Sequence, residues 1–268
     1  MNLSELCNGI NLQKEMVEKV LAVSQSFSIE TVEQQLKKLM DIETAQSAYE
    51  YLMTTLPDDA EHVKLLLCNL ECARRIHEKY QEKGITDQVF FDTMKCFTRF
   101  IDECQKKTGS IAFDRGFWTY RQVSMNLFRI GELEYELTSN DGEKVISVHI
   151  PSDANFSDDM VGQSLQTAKE FMKQFFPEYA ACKYICESWL LSPKLGELLN
   201  ESSNIVKFQN RFEVIRVNLQ EKDFIEWLFQ APIDTDYSEL KEETSLQRKV
   251  KNALLKGENI GTGYGVMK

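Results

Sequence analysis

Two periodicities divide the chain, and the change falls near its middle. As far as Gly109, apolar positions recur three and four apart, the spacing of one face of an α-helix. Leu12, Met16, Val17, Val20 and Leu21 form one stripe, and Ile29, Val32, Leu36, Leu39 and Met40 a second. A longer stripe, Val63, Leu66, Leu67, Leu70 and Ala73, predicts a helix with Asp58, Asp59 and Glu61 in its first turn, where the dipole favours acids, and a stop at Gly84. Thr86 is placed to cap the next helix, which turns Phe90, Met94, Phe97, Ile101 and Cys104 inward and ends before Gly109.

Beyond Gly116 the period shortens. Leu127 to Ile130 is a short apolar run, and Glu132-Leu133-Glu134-Tyr135-Glu136-Leu137 alternates strictly, as a half-buried strand does. This turns Leu133, Tyr135 and Leu137 to the core and the three glutamates away from it. Asn140-Asp141-Gly142 supplies residues that tolerate positive φ, so the strand returns as Val145–Ile150 in an antiparallel hairpin. Ser157 then caps a helix from Asp158 to Phe176, with Pro177 at its end, and Tyr184–Leu191 forms a further strand. Strands joined by such a helix are expected to be parallel, with a right-handed crossover. Pro193–Leu199 suits a short helix, Phe212–Val217 a strand, Ser245–Lys256 a helix and Ile260–Val266 a glycine-studded strand; Phe224–Phe229 fits either element. The pattern predicts an α+β protein: an all-α domain over residues 1–122 and a mixed-sheet domain over 123–268.

Composition narrows the classes of function. With 43% hydrophobic and 27% charged residues among 268, the chain has the makeup of a folded globular protein. Its net charge of −11 disfavours nucleic acid and anionic lipid, both of which reward a basic surface. No apolar run approaches the ~20 residues of a membrane span. The first residues lack a basic-then-apolar signal segment, so a cytoplasmic location with seven reduced cysteines is expected.

Several constellations lack a requirement of the chemistry they suggest. Cys68 and Cys72 share a helix face near His62 and His77, but no second pair completes a four-ligand metal site, and Cys182 with Cys186 fares no better. His149, Ser152 and Asp153 suggest a hydrolase, but Gly162-Gln163-Ser164-Leu165-Gln166 lacks the last glycine of a nucleophile elbow and lies within a helix. Gly261, Gly263 and Gly265 feed no helix, as a phosphate loop must, and instead let a backbone or ligand approach closely. Two features carry more. The segment His149–Ala154 joins a strand end to a helix start, where free N–H groups can receive an anion or where Ser157 simply caps. Glu187 interrupts an apolar strand, on one face with Ile185 and Trp189, and is either functional or an exposed edge position.

Read in order, six segments resemble a bacterial acyltransferase-like family with a helical N-terminal domain and a C-terminal domain of the GNAT N-acyltransferase type. They are Asp114–Trp118, Leu127–Leu137, His149–Ala154, Cys186–Pro193, Ser203–Ile205 and Thr244–Arg248. The resemblance implies a mixed sheet in which two neighbouring parallel strands splay and admit an acyl-CoA, acetyl or longer, as co-substrate, with no metal. On that pattern Ser147, Val148 and Ile150 run beside the pantetheine, and Gly162, Gln163 and Ser164 lie at the pyrophosphate. Asp159 stands where the family motif has Gln or Arg, and Ser164 where it has a second small residue. The implied activity is acyl transfer to a primary amine of a small molecule or peptide, with no nucleic-acid or membrane partner. The alternative is an inactive GNAT-fold binding module or acyl-CoA sensor. An amine nucleophile must lose a proton, so a base is needed near the mouth of the splayed strands. His149, whose ordinary pKa of about 6.5 suits that task, is the first candidate. Glu187 is the second, made more basic by partial burial. Glu134 and Trp189 are candidate contacts of the amine.

Overall fold

The computed structural model describes residues 1–56 and 59–268, which form two compact units, Met1–Ile130 and Gly131–Lys268. In the first unit, α1 (Leu3–Gly9), α2 (Lys14–Ser26), α3 (Glu33–Leu39), α4 (Ile42–Thr55), α5 (Val63–Lys83), α6 (Asp87–Met94), α7 (Cys96–Thr108) and α8 (Gly116–Val123) precede a short strand, β1 (Leu127–Ile130). Among the described residues no strand occurs before Leu127.

The central helix, α5, buries Leu65, Leu66, Leu67, Leu70, Ala73 and Ile76 and so is apolar on more than one side. Asp59 and Glu61 precede it rather than lying in its first turn, and Asp58 is outside the described residues. The Asp59 carboxylate instead accepts the N–H groups of Lys64 (2.9 Å) and Leu65 (3.0 Å), satisfying two donors that a helix start leaves free. Gly84 ends the helix at φ +74, a left-handed geometry that glycine adopts without strain. The single helix predicted after Thr86 is two, α6 and α7, parted at Lys95. Thr93 lies just before the break. Its hydroxyl donates to the Val89 carbonyl (2.7 Å) and accepts the N–H of Arg129 (3.0 Å), a side-chain competition of the kind that bends helices.

The second unit contains β2 (Leu133–Asn140), β3 (Glu143–His149), α9 (Asp158–Phe175), β4 (Lys183–Ser188), α10 (Pro193–Glu197), α11 (Asn204–Asn210), β5 (Phe212–Asn218), α12 (Asp223–Phe229), α13 (Ser245–Leu255) and β6 (Thr262–Met267). Phe224–Phe229, whose pattern fits either element, is helical. The strands lie in the order β2-β3-β4-β6-β5, with β3 and β4 parallel and the other pairs antiparallel. The mixed sheet, the hairpin turning at Asp141 (φ +52) and Gly142 (φ +82), and the crossover helix α9 follow the sequence pattern.

Leu133, Tyr135, Leu137, Ile146 and Val148 are buried on one face of the hairpin. α9 buries Val161, Leu165, Ala168, Phe171 and Met172. The strand predicted over Tyr184–Leu191 stops at Ser188, whose hydroxyl accepts the Leu190 N–H (3.2 Å) and starts a 3-10 turn over Trp189–Leu191. Backbone approach explains two of the β6-region glycines. A Cβ on Gly263 would lie 2.5 Å from the Leu191 carbonyl, and one on Gly261 2.5 Å from that of Asn218.

Candidate functional site

The parallel ladder between β3 and β4 is short. It pairs Val145 with Lys183, Ile146 with Tyr184 and Ser147 with Ile185, and goes no further. Beyond that point β3 continues against β2, with Tyr135 opposite Val148 and Glu134 opposite His149. β4 continues against β6, with Cys186 opposite Gly265, Glu187 opposite Tyr264 and Ser188 opposite Gly263. The two central strands thus part in the middle of the sheet, leaving a wedge between Val148–His149 and Cys186–Ser188.

One face of the sheet carries the polar groups beside this wedge. Strand parity and register put Glu134, Glu136, Ser147 and His149 there from the hairpin, and Glu187, Tyr264 and Arg216 from the far strands. Nε2 of His149 lies 2.9 Å from Oε2 of Glu136. The three alternating glutamates do turn from the Leu133–Tyr135–Leu137 face, but two of them are not open to solvent: Glu134 is 3% exposed and the Glu136 side chain 16%. Glu187 departs from its expected partial burial. Its side chain is 55% exposed, because β4 ends one residue later, and it accepts a hydrogen bond from Nη2 of Arg216 (3.2 Å). Trp189 is not in the strand with Glu187. It belongs to the 3-10 turn and packs against a separate apolar cluster that includes Leu195, Phe224 and Phe229.

The opposite face is apolar. Val148 is buried there, so only its backbone faces the wedge, whereas Ser147 and Ile150 are half-buried. Cys186 is fully buried, and burial pushes its thiol well above the ordinary value, which removes it as a nucleophile. Tyr184 is pushed up to about 12 for the same reason.

Gly162, Gln163 and Ser164 do not form a loop. They lie in the second turn of α9, and they point apart. Ser164 is buried, accepts the Leu133 N–H (3.2 Å) and meets the Tyr135 hydroxyl at 2.9 Å, so the fold consumes its polar capacity. Gln163 is exposed. Gly162 faces Arg211, whose Nη2 would lie 3.2 Å from a Cβ at this position. That guanidinium donates to the carbonyl (3.0 Å) and carboxylate (2.6 Å) of Asp158, on the first turn of α9. Ser157 occupies the N-cap with extended backbone, but its side chain makes no cap bond. Among the described residues, no acceptor meets the N–H groups of Asp158, Asp159 and Met160.

Residues 127–267 match the family model of the GNAT-like C-terminal domain, and residues 1–125 that of the N-acyltransferase N-terminal domain. The chain belongs to the GNAT-like family. Its fold is also that of solved acyltransferases. One, in complex with decanoyl-CoA and teicoplanin, is 21% identical with a TM-score of 0.84, over 99% of this chain and 87% of that one. A second, in complex with decanoyl-CoA, is 19% identical with a TM-score of 0.80, over 98% and 86%. A third, with CoA and 10C-teicoplanin, is 21% identical with a TM-score of 0.81, over 99% and 87%. A comparison with curated proteins finds no significant match.

Within the GNAT-like domain, two residues of the site escaped the sequence reading. Glu136 was within its reach: the tight turn at Asp141-Gly142 pairs Asn140 with Glu143, and counting back sets Glu134 opposite His149 and Glu136 on the adjacent diagonal. Arg211, 53 residues from Asp158, gave no local signal. Among the described residues, no group of three or more His, Cys, Asp and Glu side chains is placed to hold a metal, and no helix is long and apolar enough to cross a membrane.

Proposed function

We propose that this protein transfers an acyl group from an acyl-CoA to a primary amine. The observation that carries the reading is the parting of β3 and β4 after Ser147 and Ile185, in a domain of the GNAT-like family. Pantetheine carries amides that can pair with a strand's backbone, and Val148–Ile150, beyond the last β3–β4 pair, is the stretch that would take it. The pyrophosphate end then belongs at the start of α9, not at residues 162–164. The open N–H groups of Asp158–Met160 supply donors, and Arg211 supplies the positive charge that Asp159 does not.

His149 is the base. The amine nitrogen forms a bond to the thioester carbon while a proton passes from nitrogen to the imidazole. Collapse of the tetrahedral adduct breaks the carbon–sulfur bond, and CoA leaves as a thiolate that takes up a proton. The oxyanion is met by backbone N–H groups at the strand ends. Glu187, exposed on the same face and paired with Arg216, serves better as a contact of an incoming ammonium than as the base. Glu134 stays a buried neighbour of His149 in register, and Trp189 lies outside the site. The related structures with decanoyl-CoA and teicoplanin support a long acyl donor and a bulky acceptor. We read domain limits of 1–122 and 123–268 as the helical and transferase domains, and the compartment as the cytoplasm.

The test is direct. Thermal shift is measured with acetyl-CoA and decanoyl-CoA, and thiol release from the bound donor is followed over a panel of primary amines that includes teicoplanin-type glycopeptides. Stabilisation with amine-dependent thiol release is the expected result. Stabilisation without release identifies an acyl-CoA sensor instead. No stabilisation by either donor overturns both.

A further inference from the structure

We infer that Glu136 is the positioning residue for His149: its carboxylate engages Nε2 and holds the ring in one orientation toward the amine. This rests on the reading of His149 as the base. The two side chains come from adjacent strands of one hairpin, Glu136 opposite Ser147 and so diagonal to His149, and their atoms meet at 2.9 Å. Both are shielded, with side chains 16% and 23% exposed, so the contact is worth more than an ion pair in open water. A carboxylate at Nε2 makes that nitrogen the N–H of the neutral ring, and the lone pair is then on Nδ1. In the transfer step the amine N–H bond breaks and an Nδ1–H bond forms. Glu136 takes no proton; it faces the imidazolium that results, whose charge it offsets. The alternation Glu132, Glu134, Glu136 looks like a solvated face in the sequence, yet the structure turns its third member onto the base.

The chain has three histidines, His62, His77 and His149, so ring N–H resonances of nitrogen-15-labelled protein can be assigned by a His149→Gln variant. The wild type is expected to show a slowly exchanging Nε2–H proton from His149, and Glu136→Val to lose it. With decanoyl-CoA and an amine that supports turnover, Glu136→Gln is expected to lower kcat at least tenfold while KM for decanoyl-CoA stays within twofold. The double variant Glu136→Gln/His149→Gln should be no slower than His149→Gln alone, as for two groups acting as one unit. A protected Nε2–H proton that survives Glu136→Val overturns the positioning role and leaves His149 as base. So does a double variant slowed by the full Glu136→Gln factor. Wild-type kcat in His149→Gln overturns instead the reading beneath it. The exchange measurement needs no acceptor and decides the contact by itself.

Discussion

Ser164 and Tyr135 meet hydroxyl to hydroxyl at 2.9 Å, joining α9 to β2 in the buried layer between helix and sheet. The Ser164 oxygen also takes the Leu133 N–H, so two groups of the fold converge on one side chain. Ser164→Ala is therefore expected to cost about 1–3 kcal/mol of stability, the penalty for leaving buried polar groups unmatched. Affinity for decanoyl-CoA should change less than twofold. Urea denaturation and calorimetric titration separate the two effects, and a large loss of affinity at unchanged stability would return Ser164 to the binding site.

Asp158 and Gly162 bracket the Arg211 guanidinium, and their replacement should act in opposite directions. Arg211→Ala and Gly162→Leu are expected to weaken decanoyl-CoA binding, the first by removing the charge and the second by displacing it. Asp158→Asn removes a competing anion and should tighten binding. Partly exposed pairs are worth about 0.2–1 kcal/mol, so the gain is about 1.5- to 5-fold, shrinking as salt is raised. Equal affinity across all three variants would move the phosphates away from this helix start.

Asp223, at the start of α12, is half-buried. Burial holds its carboxyl above the usual carboxylate range, although the Thr262 hydroxyl donates to it at 3.0 Å. The native state thus binds this proton more tightly than the unfolded chain does. Its contribution to stability is full below the unfolded value of about 3.9 and is lost as pH rises through the higher folded value. Asp223→Asn cannot lose that contribution. Relative to wild type, the variant should gain stability between pH 3 and pH 7, read as a rising difference in urea midpoint.

Gly263 has a simpler test. A methyl group there would lie 2.5 Å from the Leu191 carbonyl, which is backbone and cannot swing aside. Gly263→Ala should cost about 3 kcal/mol or more, at the upper end for single substitutions, while Gly142→Ala, open to solvent at φ +82, should cost only the strain of its dihedral.

The features legible in the sequence are those set by local period and local chemistry. Apolar stripes placed α5 and α9, the Leu133–Tyr135–Leu137 alternation placed β2, and Gly84 and Gly142 marked their turns. Thr86 does cap α6, accepting the Val89 N–H. The features missed depend on partners distant in sequence. Thr93 lies before the break between two helices and binds Arg129, 36 positions away. Glu187 looked costly in an apolar strand, but its side chain lies exposed at the strand end and Arg216 lies across β6 from it. The start of α9 looked short of a cation because Arg211, which meets Asp158 there, arrives from the chain segment before β5.

The early end of the β3–β4 ladder has a dynamic consequence. A strand at the centre of a sheet normally protects its amide hydrogens from solvent on both sides, and the deepest amides exchange only through large-scale opening. Here β3 lies between two neighbours, yet beyond Ser147 it has no paired residue on β4. Amides past that last pair should exchange with solvent faster than those of Val145–Ser147, which are paired on both sides. A molecule that fills the wedge and accepts those hydrogens would slow them and leave the rest of the sheet unchanged, so deuterium uptake over three residues would report occupancy without any turnover.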